Sequence, residues 1–281
     1  MPAAQWKVGG KVLDLTNRAL IMGVLNVTPD SFSDGGEFLA REAAVKHGLE
    51  MARQGADIID VGGESTRPGA KAVLPNEEMK RVLPVLEELC RAASVHLSID
   101  TSKASVARAA VEAGAAIIND VSGGRTDPAM MPLAAEKRVA LIIMHRQGTP
   151  ETMQVDPVYR DVVAEVVDFF RQQFEQAVRC GVDPMSIAFD PGIGFGKTAG
   201  HNLDLLANLS RLRIEDRPLV VGVSRKSFLG RISNLPTDRT SATIALTSLL
   251  RARGADVLRV HDVAQNSSAL RTTEAVLAAT R

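Results

Sequence analysis

The sequence predicts an α/β protein built as one (β/α)8 barrel, the TIM-barrel architecture. Eight short apolar runs rich in β-branched residues are bounded by turn residues, which is typical of buried strands. Segments with helical periodicity separate these runs, and the 281 residues are close to the roughly 250 that such a barrel needs. Because periodicity alone cannot prove that a sheet closes, a doubly wound open sheet is the alternative. We expect residues 1–281 to form a single domain.

The strands and helices alternate in order along the chain. The predicted strands are Leu20–Asn26, Ile58–Gly62, Val95–Asp100, Ile117–Asp120, Ala140–His145, Ile187–Asp190, Leu219–Ser224 and Val257–Val260. The predicted helices are Leu39–Gln54, Glu77–Arg91, Ser102–Ala113, Pro128–Lys137, Val158–Arg179, Asn202–Ile214, Thr240–Arg253 and Val263–Thr280. Thr101 or Ser102 is expected to cap the third helix. Glycines that favour helix termination follow four of the helices: Gly55, Gly114, Gly181 and Gly254.

The first 18 residues precede the barrel pattern. Two short runs flank Gly9 and Gly10 in WKVGGKVLDL, which predicts a hairpin extension that covers one end of the barrel. The stretch MPAAQWK lacks the apolar core of a secretion signal, so we expect a soluble, cytoplasmic protein. The two cysteines, Cys90 and Cys180, are too few for a disulfide framework or a cysteine metal cluster.

The charge balance limits the possible partners. The chain carries 33 basic and 33 acidic residues, so its formal net charge is zero. A neutral chain is a poor candidate for bulk binding of nucleic acid or anionic membranes. Any anion site must therefore be local.

Polar residues cluster where the predicted strands end, the face on which barrel enzymes carry out their chemistry. Any one of them alone is better explained as a turn former or helix cap, but their recurrence in all eight units indicates a site. They are Asn26, Asp60, Asp100, Asn119, Asp120, His145, Asp190, Ser224, Arg225, Lys226, Arg259 and His261.

The first two loops on this face are long and rich in glycine, proline and hydroxyl residues. They run from Asn26 to Gly36 and from Gly62 to Ala70. Phe32 gives the first an apolar side chain, and Arg67 gives the second an anion-binding group. We expect both loops to order over a substrate.

The sequence lacks complete versions of several known nucleotide-binding, hydrolase and metal-binding motifs. FDPGIGFGK, which ends at Lys197, has Pro191 where a Walker A loop needs its first glycine, and its glycines fit a dinucleotide fingerprint only loosely. GVSRK has Lys226 where a nucleophile elbow needs glycine. No HExxH motif is present, so a tightly held transition metal is not indicated.

The remaining residues divide into two groups. Asp100, Asn119 and Asp190 suit the donor-rich edge of a 2-amino-4-oxo heterocycle. The second group suits a phosphate or diphosphate with Mg²⁺. Its members are Asn26, Arg67, Lys226, Arg259 and His261.

These stretches together resemble the dihydropteroate synthase family. The resemblance runs from about Leu20 to the C-terminus and rests on GVLNVTPDSFSDGG, DVGGESTRPGA, SIDTSK, IIND, MHRQGTPETMQ, FDPGIGFGK, SRKS and RVHDV. It implies the (β/α)8 fold and a transferase that joins 6-hydroxymethyl-7,8-dihydropterin diphosphate to p-aminobenzoate and releases diphosphate. One departure is Arg146, where family members often have an apolar residue. Alternatives are a pterin-binding paralogue without condensation activity and a methyltetrahydrofolate-dependent methyltransferase.

The resemblance also implies a role for individual residues. The pterin-binding residues would be Asp100, Asn119, Met144, Asp190, Phe195, Lys226 and Arg259. The diphosphate-binding residues would be Asn26, Arg67, Arg259 and His261, with Asn26 as a ligand of the Mg²⁺ cofactor. The p-aminobenzoate-binding residues would be Phe32, Thr66, Arg67, Pro68, Ser224 and Lys226. The catalytic residues would be Asp100, Asp190, Lys226, Arg259 and His261. The family also implies a homodimer.

Overall fold

The computed structural model describes residues 4–28, 36–65, 70, 72–149, 151–232 and 239–279, with the backbone alone for 36–39. Within these ranges the strands are β1 (Gln5–Val8), β2 (Lys11–Asp14), β3 (Leu20–Asn26), β4 (Ile58–Gly62), β5 (His96–Asp100), β6 (Ile117–Asp120), β7 (Ala140–Met144), β8 (Ile187–Asp190), β9 (Val220–Val221) and β10 (Val257–Val260). The helices are α1 (Gly36–Arg53), α2 (Pro75–Ala92), α3 (Ala104–Glu112), α4 (Met130–Lys137), α5 (Val162–Arg179), α6 (Ala199–Ala207), α7 (Ser227–Ile232), α8 (Thr240–Ala252) and α9 (Val263–Ala279).

Strands β3 to β10 form one parallel sheet that curls into a barrel. Their order is β8-β7-β6-β5-β4-β3-β10-β9, so β10 returns to pair with β3. A parallel bridge between Phe189 and Leu219 joins the two outer strands of this order and brings the barrel close to full closure. The (β/α)8 prediction is confirmed, and the open sheet is excluded.

The barrel has two ends, which we call upper, at the C-terminal ends of the strands, and lower, at their N-terminal ends. Along β4, Ile59 and Val61 pack in the apolar layer that also contains the helices. Ile58 belongs to a separate cluster at the lower end. Because strand side chains alternate, Asp60 points with Ile58 into the barrel interior.

The N-terminal hairpin covers the lower end, as the sequence predicts. Strands β1 and β2 pair antiparallel around Gly9 and Gly10, whose φ angles of 55° and 77° favour glycine in the turn. Trp6 is fully buried, and its Nε1 donates to the carbonyl oxygen of Ser186 at 3.1 Å. The hairpin therefore closes the bottom of the barrel with an aromatic side chain.

Four predicted helix ends agree with the structure. Gly55, Gly114, Gly181 and Gly254 have φ angles of 99°, 111°, 90° and 100°, in the left-handed region where glycine lacks the steric penalty of other residues.

Other details differ from the predictions. Strand β9 spans only two residues because the chain turns after Val221, where the amide of Lys226 bonds back to Val223. The six-residue helix α7 is too short for a periodic signal. Helix α3 begins at Ala104, whose amide donates to Asp127, so the predicted cap at Thr101 or Ser102 is wrong.

None of the described helices combines the length and the apolar character that crossing a membrane requires.

Candidate active site

The guanidinium of Arg259 links two acidic side chains inside the upper end of the barrel. Its Nε donates to Asp60 Oδ2 at 2.7 Å, and its Nη2 donates to Asp100 Oδ2 at 2.6 Å. The same Asp60 oxygen accepts a hydrogen bond from Asn119 Nδ2 at 3.0 Å. Strands β4, β5, β6 and β10 thus contribute one side chain each to a single network.

Burial shapes the electrostatics of this network. Asp60 is completely buried, and Asp100 is nearly so. Burial raises the pKa of Asp100 to about 7, against the opposing effect of Arg259. Burial disfavours the charge on Arg259, but Asp60 and Asp100 outweigh it and raise the pKa of the guanidinium, which stays protonated.

One carboxyl oxygen of Asp60 and one of Asp100 have no hydrogen-bond partner among the described residues. These atoms are Asp60 Oδ1 and Asp100 Oδ1. Native proteins pair nearly all of their buried polar atoms, so an unpaired acceptor suggests a missing partner. Asp100 Oδ1 is therefore available to an N–H group of a ligand.

Asp190 provides a third buried acid at this end. Its Oδ1 accepts a hydrogen bond from the amide of Gly192 at 2.7 Å. Burial raises its pKa, while Gly192 and the nearby cation of Lys226 oppose the shift. Lys226 Nζ lies 4.0 Å from the centre of the Phe195 ring, and burial lowers the pKa of this lysine to about 8. The structure thus brings Asp190, Phe195 and Lys226 together.

An apolar cluster lies beside these polar groups. Met144 and Phe195 pack with Val121 and Met153, and all four are buried. Such a surface suits the face of a flat ring whose edge is bound by polar atoms.

His261 and Ser224 join the loops that follow β9 and β10. Ser224 Oγ accepts from the amide of His261 at 3.1 Å and lies 2.9 Å from its Nδ1. Burial lowers the pKa of His261 to about 4, and the positive charges of Arg259 and Arg225 act in the same direction. The imidazole is neutral at pH 7 in this structure, so it does not by itself supply the cation that the sequence suggested.

Lys197 was not expected to have a role. Its Nζ donates to the carbonyl oxygens of Gly192 and Phe195 at 3.0 Å each, and lies 3.0 Å from His145 Nδ1. Burial lowers the pKa of Lys197 to about 7. This side chain ties the segment after β8 to the end of β7 and so fixes the position of Phe195.

The second long loop is anchored at its base. Glu64 accepts a hydrogen bond from the amide of Val73 and another from Lys103, both at 2.7 Å. Lys103 also pairs with the fully buried Glu78. Four residues expected in the site lie outside the described residues: Phe32, Thr66, Arg67 and Pro68.

Asn26 lies at the end of β3, half-buried, next to Gly62 in register. A Cβ atom at Gly62 would lie 3.8 Å from Asn26 Oδ1 and 3.5 Å from Asp100 Cβ. The described residues contain no cluster of three or more His, Cys, Asp or Glu side chains able to hold a metal on their own. Mg²⁺ takes oxygen ligands and fills most of its shell with water and substrate phosphates, so Asn26 Oδ1 could serve as its one ligand from the described residues.

The upper end thus combines buried acceptors, cations and an apolar wall, which suits a flat, donor-rich ring. A family model described as pterin binding enzyme matches residues 22–261, and the chain belongs to this family.

Related proteins identify the branch of the family. The chain is 49% identical to dihydropteroate synthase of Mycobacterium leprae over 265 residues, which cover 92% of this chain and 93% of that protein. A structure of Xanthomonas albilineans dihydropteroate synthase with 4-aminobenzoic acid is 45% identical with a TM-score of 0.91, covering 98% of this chain and 99% of the other. A structure of that enzyme with 7,8-dihydropteroate is 42% identical with a TM-score of 0.87, at the same coverage. The protein is thus a member of the dihydropteroate synthases, transferases of folate biosynthesis, which confirms the resemblance seen in the sequence.

Proposed function

We propose that the upper end of this single barrel domain joins 6-hydroxymethyl-7,8-dihydropterin diphosphate to p-aminobenzoate and releases diphosphate. The observation that carries the proposal is the buried, unpaired Asp100 Oδ1, next to Asn119 in the sheet register. The dihydropteroate bound to the Xanthomonas albilineans relative supports the same product here.

The pterin edge explains why these side chains are needed. A 2-amino-4-oxo ring presents an acceptor at N1, donors at the 2-amino group and N3, and an acceptor at O4. The carboxylates of Asp100 and Asp190 accept from ring N–H groups, whereas an amide such as Asn119 both donates and accepts. Lys226 would donate to a ring oxygen or nitrogen, and Met144 and Phe195 would cover the ring face.

The leaving diphosphate requires positive charge. Arg259 supplies it from the described residues, and Arg67 is proposed to supply more. A Mg²⁺ ion held by Asn26 and the phosphates would neutralise charge on the leaving group. His261 is neutral in the free protein and is proposed to donate a hydrogen bond or to gain a proton when the anion arrives.

The chemistry needs little proton abstraction. An aniline nitrogen is neutral at pH 7, so the nucleophile requires no strong base. The harder step is cleavage of the carbon–oxygen bond, and the electron-rich dihydropterin can carry the positive charge that develops on its methylene. We therefore propose a dissociative displacement: the carbon–oxygen bond breaks, the aniline nitrogen bonds to the methylene, and that nitrogen loses a proton to water or to the departing diphosphate. Asp100 and Asp190 stabilise the positive charge that develops on the ring, while Arg259 stabilises the diphosphate.

The p-aminobenzoate pocket is proposed to form from the two long loops and the loop that follows β9. Phe32 and Pro68 would contact its ring, and Thr66, Arg67, Ser224 and Lys226 would contact its polar atoms or the neighbouring anion. The bound 4-aminobenzoic acid of the Xanthomonas albilineans relative supports this substrate.

The test uses the purified protein with Mg²⁺ and both substrates. We expect diphosphate release that depends on p-aminobenzoate, together with 7,8-dihydropteroate detected by mass spectrometry. Pterin binding without diphosphate release would favour the paralogue that does not condense its ligands.

We also propose a surface on the barrel through which two copies of the chain associate. A shallow cavity of about 450 Å³ lies between α8 and α9, and Val276 on α9 is 62% exposed. Small and apolar residues line it, including Ala252, Ala269 and Leu277. We propose that this face forms a homodimer in the cytoplasm, and light scattering would measure its mass.

A further inference from the structure

The interior of the barrel holds one fully buried acid whose role the proposed reaction leaves open. Asp60 lies two residues before the end of β4, with no exposed surface. Burying a carboxylate is unfavourable unless it is paired, and replacing buried charges with apolar groups is often neutral or stabilising. Packing alone therefore gives no reason for an acid here.

The contacts of Asp60 point to the Asn119 amide. A carboxylate oxygen can only accept, so the Asn119 atom that lies 3.0 Å from Asp60 Oδ2 must be the nitrogen. The opposite orientation would bring the amide oxygen against the carboxylate. Asp60 therefore fixes which way the amide of Asn119 points.

Arg259 reinforces this arrangement. Its Nε donates to the same Asp60 oxygen at 2.7 Å, which holds that oxygen in place. Arg259 is also paired with Asp100, so it keeps one acidic partner without Asp60. The dependence of Asn119 on Asp60 is stronger, because no other hydrogen bond of the Asn119 side chain is found among the described residues.

We propose that Asp60 is a positioning residue that sets the ring specificity of the site by fixing the orientation of the Asn119 amide. With one N–H bound to Asp60, Asn119 presents its Oδ1 and its second N–H to a ligand. This donor–acceptor pair complements N1 and the 2-amino group of a pterin. It opposes a 2-oxo ring, whose N1–H and O2 have the reverse polarity. The inference rests on the proposed pterin site.

The experiment compares two ring probes in the full-length protein. The probes are pterin, with a 2-amino group, and lumazine, its 2-oxo analogue, both without phosphate. The quantity measured is the ratio of the lumazine to the pterin dissociation constant, obtained by calorimetric titration at pH 7. If the proposed pterin site is correct, the ratio should be large in the wild-type protein. A wild-type ratio near one would refute the proposed site, which is a different failure from that of the Asp60 role.

Two substitutions of Asp60 separate its possible roles. Asp60→Leu removes the acceptor, lets the Asn119 amide turn over, and should lower the ratio about tenfold, the effect of one reversed hydrogen bond. Asp60→Asn keeps an oxygen that can accept from Asn119, so the ratio should stay within about twofold of the wild-type value. If Asp60→Leu fails to fold by circular dichroism, Asp60→Ala deletes the same acceptor with less bulk.

Two controls complete the design. Asp57→Asn changes an acid just before β4, at the lower end of the barrel, whose carboxylate accepts from the amide of Ile21, and the ratio should not change. In an Asn119→Leu background, Asp60→Leu should no longer change the ratio, because the amide through which it acts is absent. An unchanged ratio in folded Asp60→Leu, an equal fall in Asp60→Asn, or the same fall in the Asn119→Leu background would each overturn the proposal.

Discussion

The two ends of the barrel interior differ in character, although the same strands supply both. At the lower end, Ile58, Ile117 and Val257 pack against Trp6 of the hairpin in an apolar cluster. Two residues further along these strands stand Asp60, Asn119 and Arg259, and both Asn119 and Arg259 donate a hydrogen bond to Asp60. The barrel interior therefore changes from apolar to charged over only two residues of each of these strands.

This difference separates stability from function. The apolar end stabilises the fold by removing large side chains from water. The charged end contains buried acids with unpaired oxygens, which are unfavourable until a ligand supplies their partners. Substitutions at the upper end should therefore affect binding and turnover, and those at the lower end should affect the free energy of unfolding.

The largest effect is expected at Arg259. Arg259→Ala removes the cation proposed to stabilise the leaving diphosphate, so kcat/KM should fall by about 1000-fold, or about 4 kcal/mol. It also frees Asp100, so affinity for a phosphate-free pterin should change as well. A matched control is Arg213→Ala, which breaks a 2.7 Å ion pair with Asp256 just before β10. Arg213→Ala should lower the free energy of unfolding but leave kcat/KM unchanged. If Arg213→Ala and Arg259→Ala lost kcat/KM equally, the two ends of the barrel would not differ in function as proposed.

Trp6→Ala tests the lower end. Deleting a fully buried indole should lower the free energy of unfolding by about 3 kcal/mol, measured by urea denaturation. The affinity of the remaining folded protein for pterin should stay at the wild-type value. A weakened affinity in the folded variant would mean that the hairpin and the site are coupled through the barrel.

Asp190→Asn tests whether Asp190 binds the polar edge of the pterin ring. Asp190 Oδ1 already accepts from the amide of Gly192, so the oxygen of an asparagine would keep that bond and its NH2 group would face the ring donors. Pterin affinity should therefore fall by about 2 kcal/mol, roughly 30-fold. Calorimetric titration measures the change, and Asp183→Asn, in the turn below β8 where Asp183 pairs with Lys7, serves as the control. Unchanged affinity in Asp190→Asn would exclude this residue from the site.

The smallest effect concerns pH. Burial raises the pKa of Asp100 to about 7, and ring N–H donors need the ionised form. Affinity for a phosphate-free pterin should therefore rise by about fivefold as the pH increases from 6 to 7, a range in which Lys226, with its pKa of about 8, stays protonated. Asp100→Asn should abolish this dependence, and a wild-type affinity that falls with increasing pH would contradict the assignment.

Sequence patterns predicted the elements well where the signal was local. Glycines such as Gly114 and Gly254 mark helix ends because the left-handed conformation is required there. The cap of α3 was missed because its partner, Asp127, lies 23 residues away in the sequence. Helix α7 was missed because six residues give no measurable period.

The site was predicted in the same uneven way. Asp100, Asn119 and Arg259 stand at strand ends, and Asp60 and Arg259 link them in one hydrogen-bond network. Their roles in binding stay a prediction. Asp60 and Lys197 gained no role from the sequence, because only the three-dimensional contacts reveal which groups they hold.

A crystal structure of the protein with a phosphate-free pterin tests the assignment of the upper end most directly. We expect the ring edge within hydrogen-bond distance of Asp100, Asn119 and Asp190, with the ring face against Phe195. Asp100 Oδ1, now unpaired, should accept from a ring N–H. A pterin bound elsewhere, or one that leaves Asp100 and Asp190 without a ring contact, would contradict the account.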